Sequence, residues 1–233
     1  MGAGSARNAG IQSACGEYIA FMDADDYYQH KDSLKNLYEQ AVQNDADVCG
    51  GGMRYSDTSN KKSSDQYCFQ DNGWIVFKDY QQYYYYQRFL FRRSMLIRHS
   101  IFFPDSLRFQ DPPFFVRAMI AAHRFYAVKE IVYVYRESGN HVTWNRRKVN
   151  DLMQGHMDVL KLCMDNGLEL MLYDLLKRDL ENTYLHSILE ASLGEGNVKV
   201  AEFYHFVLSC TNHVLIKDMP PLNLDYAKAI NAW

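Results

Sequence analysis

Apolar residues follow two different rhythms along this chain, and the change falls near residue 145. Before it they come in short clusters broken by Gly, Asn, Asp and Pro, the texture of strands and short helices joined by turns. After it Val149, Leu152, Met153, His156, Leu160, Cys163 and Met164 recur at steps of three and four, which predicts an amphipathic helix. Asn166-Gly167 is its stop signal. A second helix is expected over 168–193, with Leu172, Leu175, Leu176, Leu180, Tyr184, Ile188 and Leu189 inward. A third begins after the Gly194–Asn197 break, with Val200, Phe203, Tyr204 and Val207 on its buried face. Near the front, residues 6–15 predict a short helix ended by Gly16. Residues 17–22 then predict a strand without clean alternation, hence buried on both faces as in a parallel sheet. A helix over 31–43 and a strand at Asp47-Val48-Cys49 follow, and Gly50-Gly51-Gly52 marks a bulge or a close approach. The polar run 56–65 reads as an exposed loop. The pattern divides into residues 1–145, an α/β part, and residues 146–233, a helical part.

Composition narrows the function classes. Of 233 residues, 48% are apolar and 23% charged, with 25 basic against 28 acidic side chains and the acidic excess in residues 146–233. A net charge of −3 offers no general attraction to nucleic acid, so no nucleic-acid partner is expected. The longest apolar run, residues 206–216, is shorter than the roughly 18 residues a membrane span needs and contains His213. No signal-peptide pattern opens the sequence. Five scattered cysteines form no C-x-x-C pair and imply neither a disulfide framework nor a zinc site, so a reducing, cytoplasmic setting is expected.

The chemistry concentrates at Asp23-Ala24-Asp25-Asp26, directly after the first expected strand. Carboxylates this close repel, and a proton or cation must offset them. A hard divalent cation bridging them to a diphosphate is one answer. A cap and turn opening the next helix is the plainer one. An EF-hand loop fails, because Tyr28 would stand at its glycine position and Leu34 at its terminal glutamate. The aromatic run Tyr83–Tyr86 and the following Arg88, Arg92, Arg93, Arg98 and Arg108 fit an acceptor surface for sugars or anions. They fit better an amphipathic helix with Phe89, Leu90, Met95 and Leu96 buried and the arginines solvated.

Three blocks in order carry a family resemblance: Gly2-Ala3-Gly4-Ser5-Ala6-Arg7-Asn8 with Gly16 through Asp26, Phe103-Pro104-Asp105 through Gln110-Asp111-Pro112-Pro113-Phe114-Phe115, and Ile131-Val132-Tyr133-Val134-Tyr135-Arg136. Together they resemble family 2 glycosyltransferases. The resemblance implies an inverting enzyme of GT-A fold, with a mixed, mainly parallel sheet and a nucleotide-sugar donor, UDP-linked by preference. It also implies a glycan or lipid-linked acceptor at the inner face of a membrane, and a role in cell-surface polysaccharide synthesis. By position, Asp111 would be the general base, Asp23 would face the ribose, and Asp25 would ligate Mg²⁺ or Mn²⁺ on the diphosphate. Arg7, Gln110 and Arg136 would bind the nucleotide sugar. His141, in the polar Gly139-Asn140-His141 turn, reads first as a solvated turn residue and second as a contact to the metal or diphosphate. Two departures stand out: Gln110 occupies the place of the family's glutamate, and Trp144 follows without a Gln-x-x-Arg-Trp block, which favours transfer of a single sugar. The family's opening βαβ units are not seen before Gly2, so an exposed sheet edge open to a homo-oligomer contact is expected, or a silent domain that binds a partner there. A sugar nucleotidyltransferase is a further alternative for the glycine-rich turn, but it leaves the Asp111 block unexplained.

Overall fold

The computed structural model describes residues 2–56, 67–136, 142–181, 183–193, 197–214 and 219–224. The exposed loop expected at 56–65 falls outside them except for Ser56, and so does His141. In chain order the elements are α1 (Ala3–Ser13), β1 (Tyr18–Ala20), β2 (Tyr27–Tyr28), α2 (Ser33–Gln43), β3 (Val48–Tyr55), β4 (Gly73–Val76), α3 (Phe77–Tyr80), β5 (Phe89–Arg92), α4 (Arg93–Arg98), α5 (Asp111–Ala122) and β6 (Arg124–Tyr135). Helices α6 (Arg146–Asn166), α7 (Glu169–Leu175), α8 (Thr183–Leu193) and α9 (Val198–Cys210) follow.

The strands form one mixed sheet in the order β1-β5-β3-β6-β2, with β4 also pairing with β6. The expectation of a mainly parallel sheet is corrected here. Among the described residues only β3 and β6 run parallel, and the other pairings are antiparallel. The strand after Gly16 is likewise not central: β1 pairs with β5 alone and alternates from half-buried to buried to exposed. Its apolar run misled because Phe21, just past the strand, also turns into the core, where it meets Tyr86, Phe91, Phe103 and Phe114 edge-on.

Glycines make the centre of the sheet possible. A Cβ on Gly50 would lie 2.1 Å from the Phe89 ring, and one on Gly51 would lie 2.5 Å from Val132, so only hydrogen fits between these neighbouring strands. The β3–β6 register also shifts at Gly50–Met53, the irregularity that the triple glycine predicts. Phe89 and Leu90 belong to strand β5, with helix only from Arg93, so a single amphipathic helix through both is corrected. Arg88 is neither solvated nor turned toward a ligand. It is 1% exposed and donates to the carbonyls of Gly51 and Tyr67 and to the Tyr80 hydroxyl.

The C-terminal helices pack as their periodicity predicts. Val149, Met153, His156, Leu160 and Cys163 form the buried face of α6, and Gly167 ends it in a left-handed conformation (φ 62°). The helix expected over 168–193 is interrupted, however, by a π-helical turn at Leu176–Leu180 between α7 and α8. One apolar cluster runs from Ile11 through Phe91, Phe115 and Val149 to Phe203 and Leu224, so the sheet and the C-terminal helices share a core.

Candidate active site

The site is assembled around Arg7. Helix α1 carries it and is fastened to the segment before α5: the Asn8 amide donates to the Phe103 carbonyl and accepts from the Phe103 N–H, both at 2.8 Å. Gly4 permits that approach, since a Cβ there would lie 2.9 Å from the Pro104 carbonyl oxygen. The Arg7 guanidinium rests about the rings of Tyr86 and Phe103, 5.5 and 5.3 Å from their centres. From there it donates to Asp23 Oδ1 at 2.6 Å and to Asp111 Oδ1 at 2.8 Å. Burial works against its charge, but Asp111, Tyr86 and Asp23 outweigh burial and raise its pKa.

Asp111 sits at the first position of α5. The two prolines after it occupy the first turn, where their missing N–H groups cost nothing and their fixed φ suits a helix. The positive end of the helix dipole favours a carboxylate at that place. Burial nevertheless dominates and pushes the Asp111 pKa up to about 6, with Arg7 and Arg108 pulling down and Asp23 adding to the rise. A third of the side chain (34%) stays open, and among the described residues hydrogen bonds reach only Oδ1, which leaves Oδ2 to accept a proton.

The three clustered aspartates do three different things. Asp23 Oδ2 accepts from the Gln87 amide at 2.7 Å while Oδ1 is held by Arg7, so its charge is already offset. Asp26 is 7% exposed and accepts from the Tyr133 hydroxyl at 2.8 Å and the Arg136 N–H at 2.7 Å. It fastens the turn after β1 to the end of β6, and burial raises its pKa. Asp25 alone is exposed and makes no hydrogen bond or ion pair with the described residues. No cation shared by all three is therefore needed to neutralise them. Among the described residues no group of three metal-ligating side chains comes together. The Arg136 backbone stands beside Asp26, and its guanidinium lies 5.2 Å from the centre of the Tyr27 ring.

Gln110 and Asp111 form one wall of a cleft of about 450 Å³. Tyr84, Arg108, Phe109, Tyr135, Trp144, Leu152, His156, Leu185 and Ile188 line the rest of it. Phe109 has a left-handed backbone (φ 58°) and stacks on His156 at 3.9 Å. Gly155 makes room for it, because a Cβ there would come within 2.9 Å of the Phe109 carbonyl oxygen. The Trp144 indole N–H is buried with no hydrogen-bond partner among the described residues, and Arg108 lies over that ring at 5.3 Å. The buried Tyr86 hydroxyl likewise has no partner among the described residues, and it lies in the field of Asp111 and Asp23. Sequence reasoning placed Tyr84 in the acceptor region but missed Phe109, Tyr135 and His156. The unusual φ of Phe109 has no sequence signature, and His156 fell on a core-facing helical stripe that its periodicity cannot tell from a cleft wall.

Comparison with known proteins bears on family likeness and fold. Residues 1–103 match the profile of Glycosyl transferase family 2. The uncharacterized glycosyltransferase EpsJ of Bacillus subtilis (strain 168) is 32% identical over 153 residues, which are 61% of this chain and 44% of that protein. The putative glycosyltransferase EpsH of the same organism is 34% identical over 65 residues, 28% of this chain and 19% of that protein. The chain thus spans less than half the length of either relative. The crystal structure of S. aureus TarS 1-349 in complex with UDP-GlcNAc superposes over 99% of this chain and 68% of its own, with a TM-score of 0.72 at 17% identity. The same TarS segment in complex with UDP superposes with a TM-score of 0.71 at 19% identity. That likeness shows the GT-A fold, and the first 103 residues, which match the family 2 profile, are similar to glycosyltransferases of that family.

Proposed function

We propose that this chain transfers one sugar from a nucleotide-diphosphate sugar, UDP-linked, to a hydroxyl of a glycan or lipid-linked acceptor, inverting the anomeric centre. The observation that carries the reading is Asp111: a carboxylate with a pKa of about 6 and a free Oδ2, at the wall of a cleft large enough for sugar rings. A base with that pKa is ionised at neutral pH yet basic enough to take a hydroxyl proton. In the reaction the acceptor oxygen attacks the anomeric carbon as its proton passes to Asp111 Oδ2. The bond from that carbon to the diphosphate breaks on the opposite face, and a single displacement inverts the centre. The transition state resembles an oxocarbenium ion, so negative charge grows on the departing group and positive groups beside it lower the barrier.

Arg7 links the two halves of this chemistry, holding Asp23 on the donor side and Asp111 on the acceptor side with one rigid fork. Asp23 keeps lone pairs for ribose hydroxyls beyond those given to Arg7 and Gln87. Gln110 and Arg136 complete the donor contacts. Asp25, an exposed carboxylate with no protein partner among the described residues, fits a Mg²⁺ or Mn²⁺ ion, which commonly takes one or two carboxylates with the rest from phosphate and water. Such an ion supplies positive charge to the diphosphate when bound. TarS, which shares the fold, has been crystallised with UDP-GlcNAc, and this supports a UDP-sugar donor. We place the reaction in the cytoplasm, at the membrane's inner face for a lipid-linked acceptor; no helix among the described residues is long and apolar enough to cross a membrane.

Calorimetric titration with UDP-sugars, with and without Mn²⁺, tests this reading. Metal-dependent heat in the native chain, lost in Asp25→Ala, is the expected result. A silent interaction module shows no heat with any nucleotide sugar, and a nucleotidyltransferase turns over a nucleoside triphosphate with a sugar phosphate instead.

A further inference from the structure

A second cleft, of about 410 Å³, shares Tyr84 with the first. One wall is the tyrosine run. Gln81 and Tyr85 both hold left-handed backbone there (φ 47° and 62°), a conformation that costs energy unless the surroundings impose it. The Gln81 side chain shows how it is imposed: its amide nitrogen donates to the Lys78 carbonyl, and its oxygen accepts from the Met171 N–H at 3.0 Å. This ties the tyrosine run to α7. Asp174 and the π-helical turn also line it, and Lys177 and Arg178 of that turn are exposed. A π turn inserts an extra residue into the helical ladder and recurs at functional sites. Here it brings Arg178 across the rings of Tyr83 and Tyr84, 5.2 and 4.7 Å from their centres, with a 2.8 Å hydrogen bond to the Tyr84 hydroxyl.

The half-buried Tyr84 and Tyr85 offer ring edges to the C–H faces of pyranose rings, and the exposed Gln82 amide and the Asp174 carboxylate suit sugar hydroxyls. Two cations against one carboxylate favour a ligand that also bears negative charge. We propose that this second cleft binds the body of an anionic glycan chain whose reacting end passes Tyr84 into the first cleft. The inference rests on the transfer reading and extends it from a hydroxyl to a chain longer than the catalytic cleft holds. Tyr84 is then the ring on which the chain crosses between them.

The test is direct binding by the full chain of labelled oligosaccharides of graded length, in neutral, uronate-bearing and phosphate-bearing series. Long anionic chains should bind about tenfold more tightly than their disaccharides, the scale of one added aromatic contact. Lys177→Ala/Arg178→Ala should erase that gain while the UDP-sugar titration stays unchanged, which also shows the variant to be folded. Arg178→Lys should restore only part, since it keeps the charge and loses the stacked plane. Affinity that ignores chain length, equal binding of neutral chains, undiminished binding by the double variant, or no glycan bound would each overturn the proposal. A chain that binds UDP-sugar but no glycan leaves the transfer reading standing. Length-dependent glycan binding without donor binding overturns that reading and leaves the subsite standing.

Discussion

At the scale of single residues, one guanidinium sets the electrostatics of the site. Asp111 gains a proton near pH 6, far above its ordinary value of 3.8, because burial outweighs Arg7. Transfer should therefore fall as pH drops through about 6, tracing one ionisation in a pH–rate profile. Stability should move the opposite way. The folded state holds this proton where the unfolded chain has released it, so stability from this group declines as pH climbs from about 4 to about 6. Urea midpoints across that range check the sign. Arg7→Ala should depress the rate and move the profile upward, since it removes the charge that favours the ionised base. An unshifted profile in Arg7→Ala contradicts the pairing. The sequence exposed Asp23, Asp25, Arg7 and Asp111 through their motifs. It could not show that Asp26 is a buried fastener, because the Tyr133 hydroxyl and the Arg136 N–H that bind it lie over a hundred residues away.

Elements obey packing rules that a motif does not carry. Gly50 and Gly155 look alike in the sequence, each a glycine inside a regular element, but their neighbours differ. Gly50→Ala drives a methyl group into the buried Phe89 ring and should cost about 1–3 kcal/mol of stability, read from urea unfolding. Gly155→Ala meets the Phe109 carbonyl oxygen instead. It should displace the Phe109–His156 stack and raise the KM for acceptor while leaving donor affinity alone. A change in donor affinity equal to the change in acceptor KM contradicts the division of the two sides. Periodicity read α6 and α9 correctly because one face of each is buried throughout. It failed at Leu176–Leu180, where apolar spacing continues across the π turn, and at Phe89–Leu90, where a fully buried strand has no polar alternation to betray it.

In the whole molecule, the cleft beside Asp111 is a joint product of the sheet-bearing part and the C-terminal helices. Asp111, Gln110 and Tyr84 line it together with Leu152, His156, Leu185 and Ile188, over a continuous apolar core. Phe203→Ala, at a position 1% exposed in that core and edge-on to His156, should cost about 3–5 kcal/mol and weaken acceptor binding with it. Chemical denaturation and acceptor kinetics on the same preparation check both. The apolar rhythm changes near residue 145, but the packing shared across that point was not legible, since contacts between distant segments leave no local pattern. The account depends most on Asp111 acting as the base on a donor already bound. Asp111→Asn keeps the shape and removes the proton acceptor, so sugar transfer should drop by about two to four orders of magnitude. UDP-sugar binding by the same variant should remain intact. Transfer at the native rate by Asp111→Asn would contradict the account.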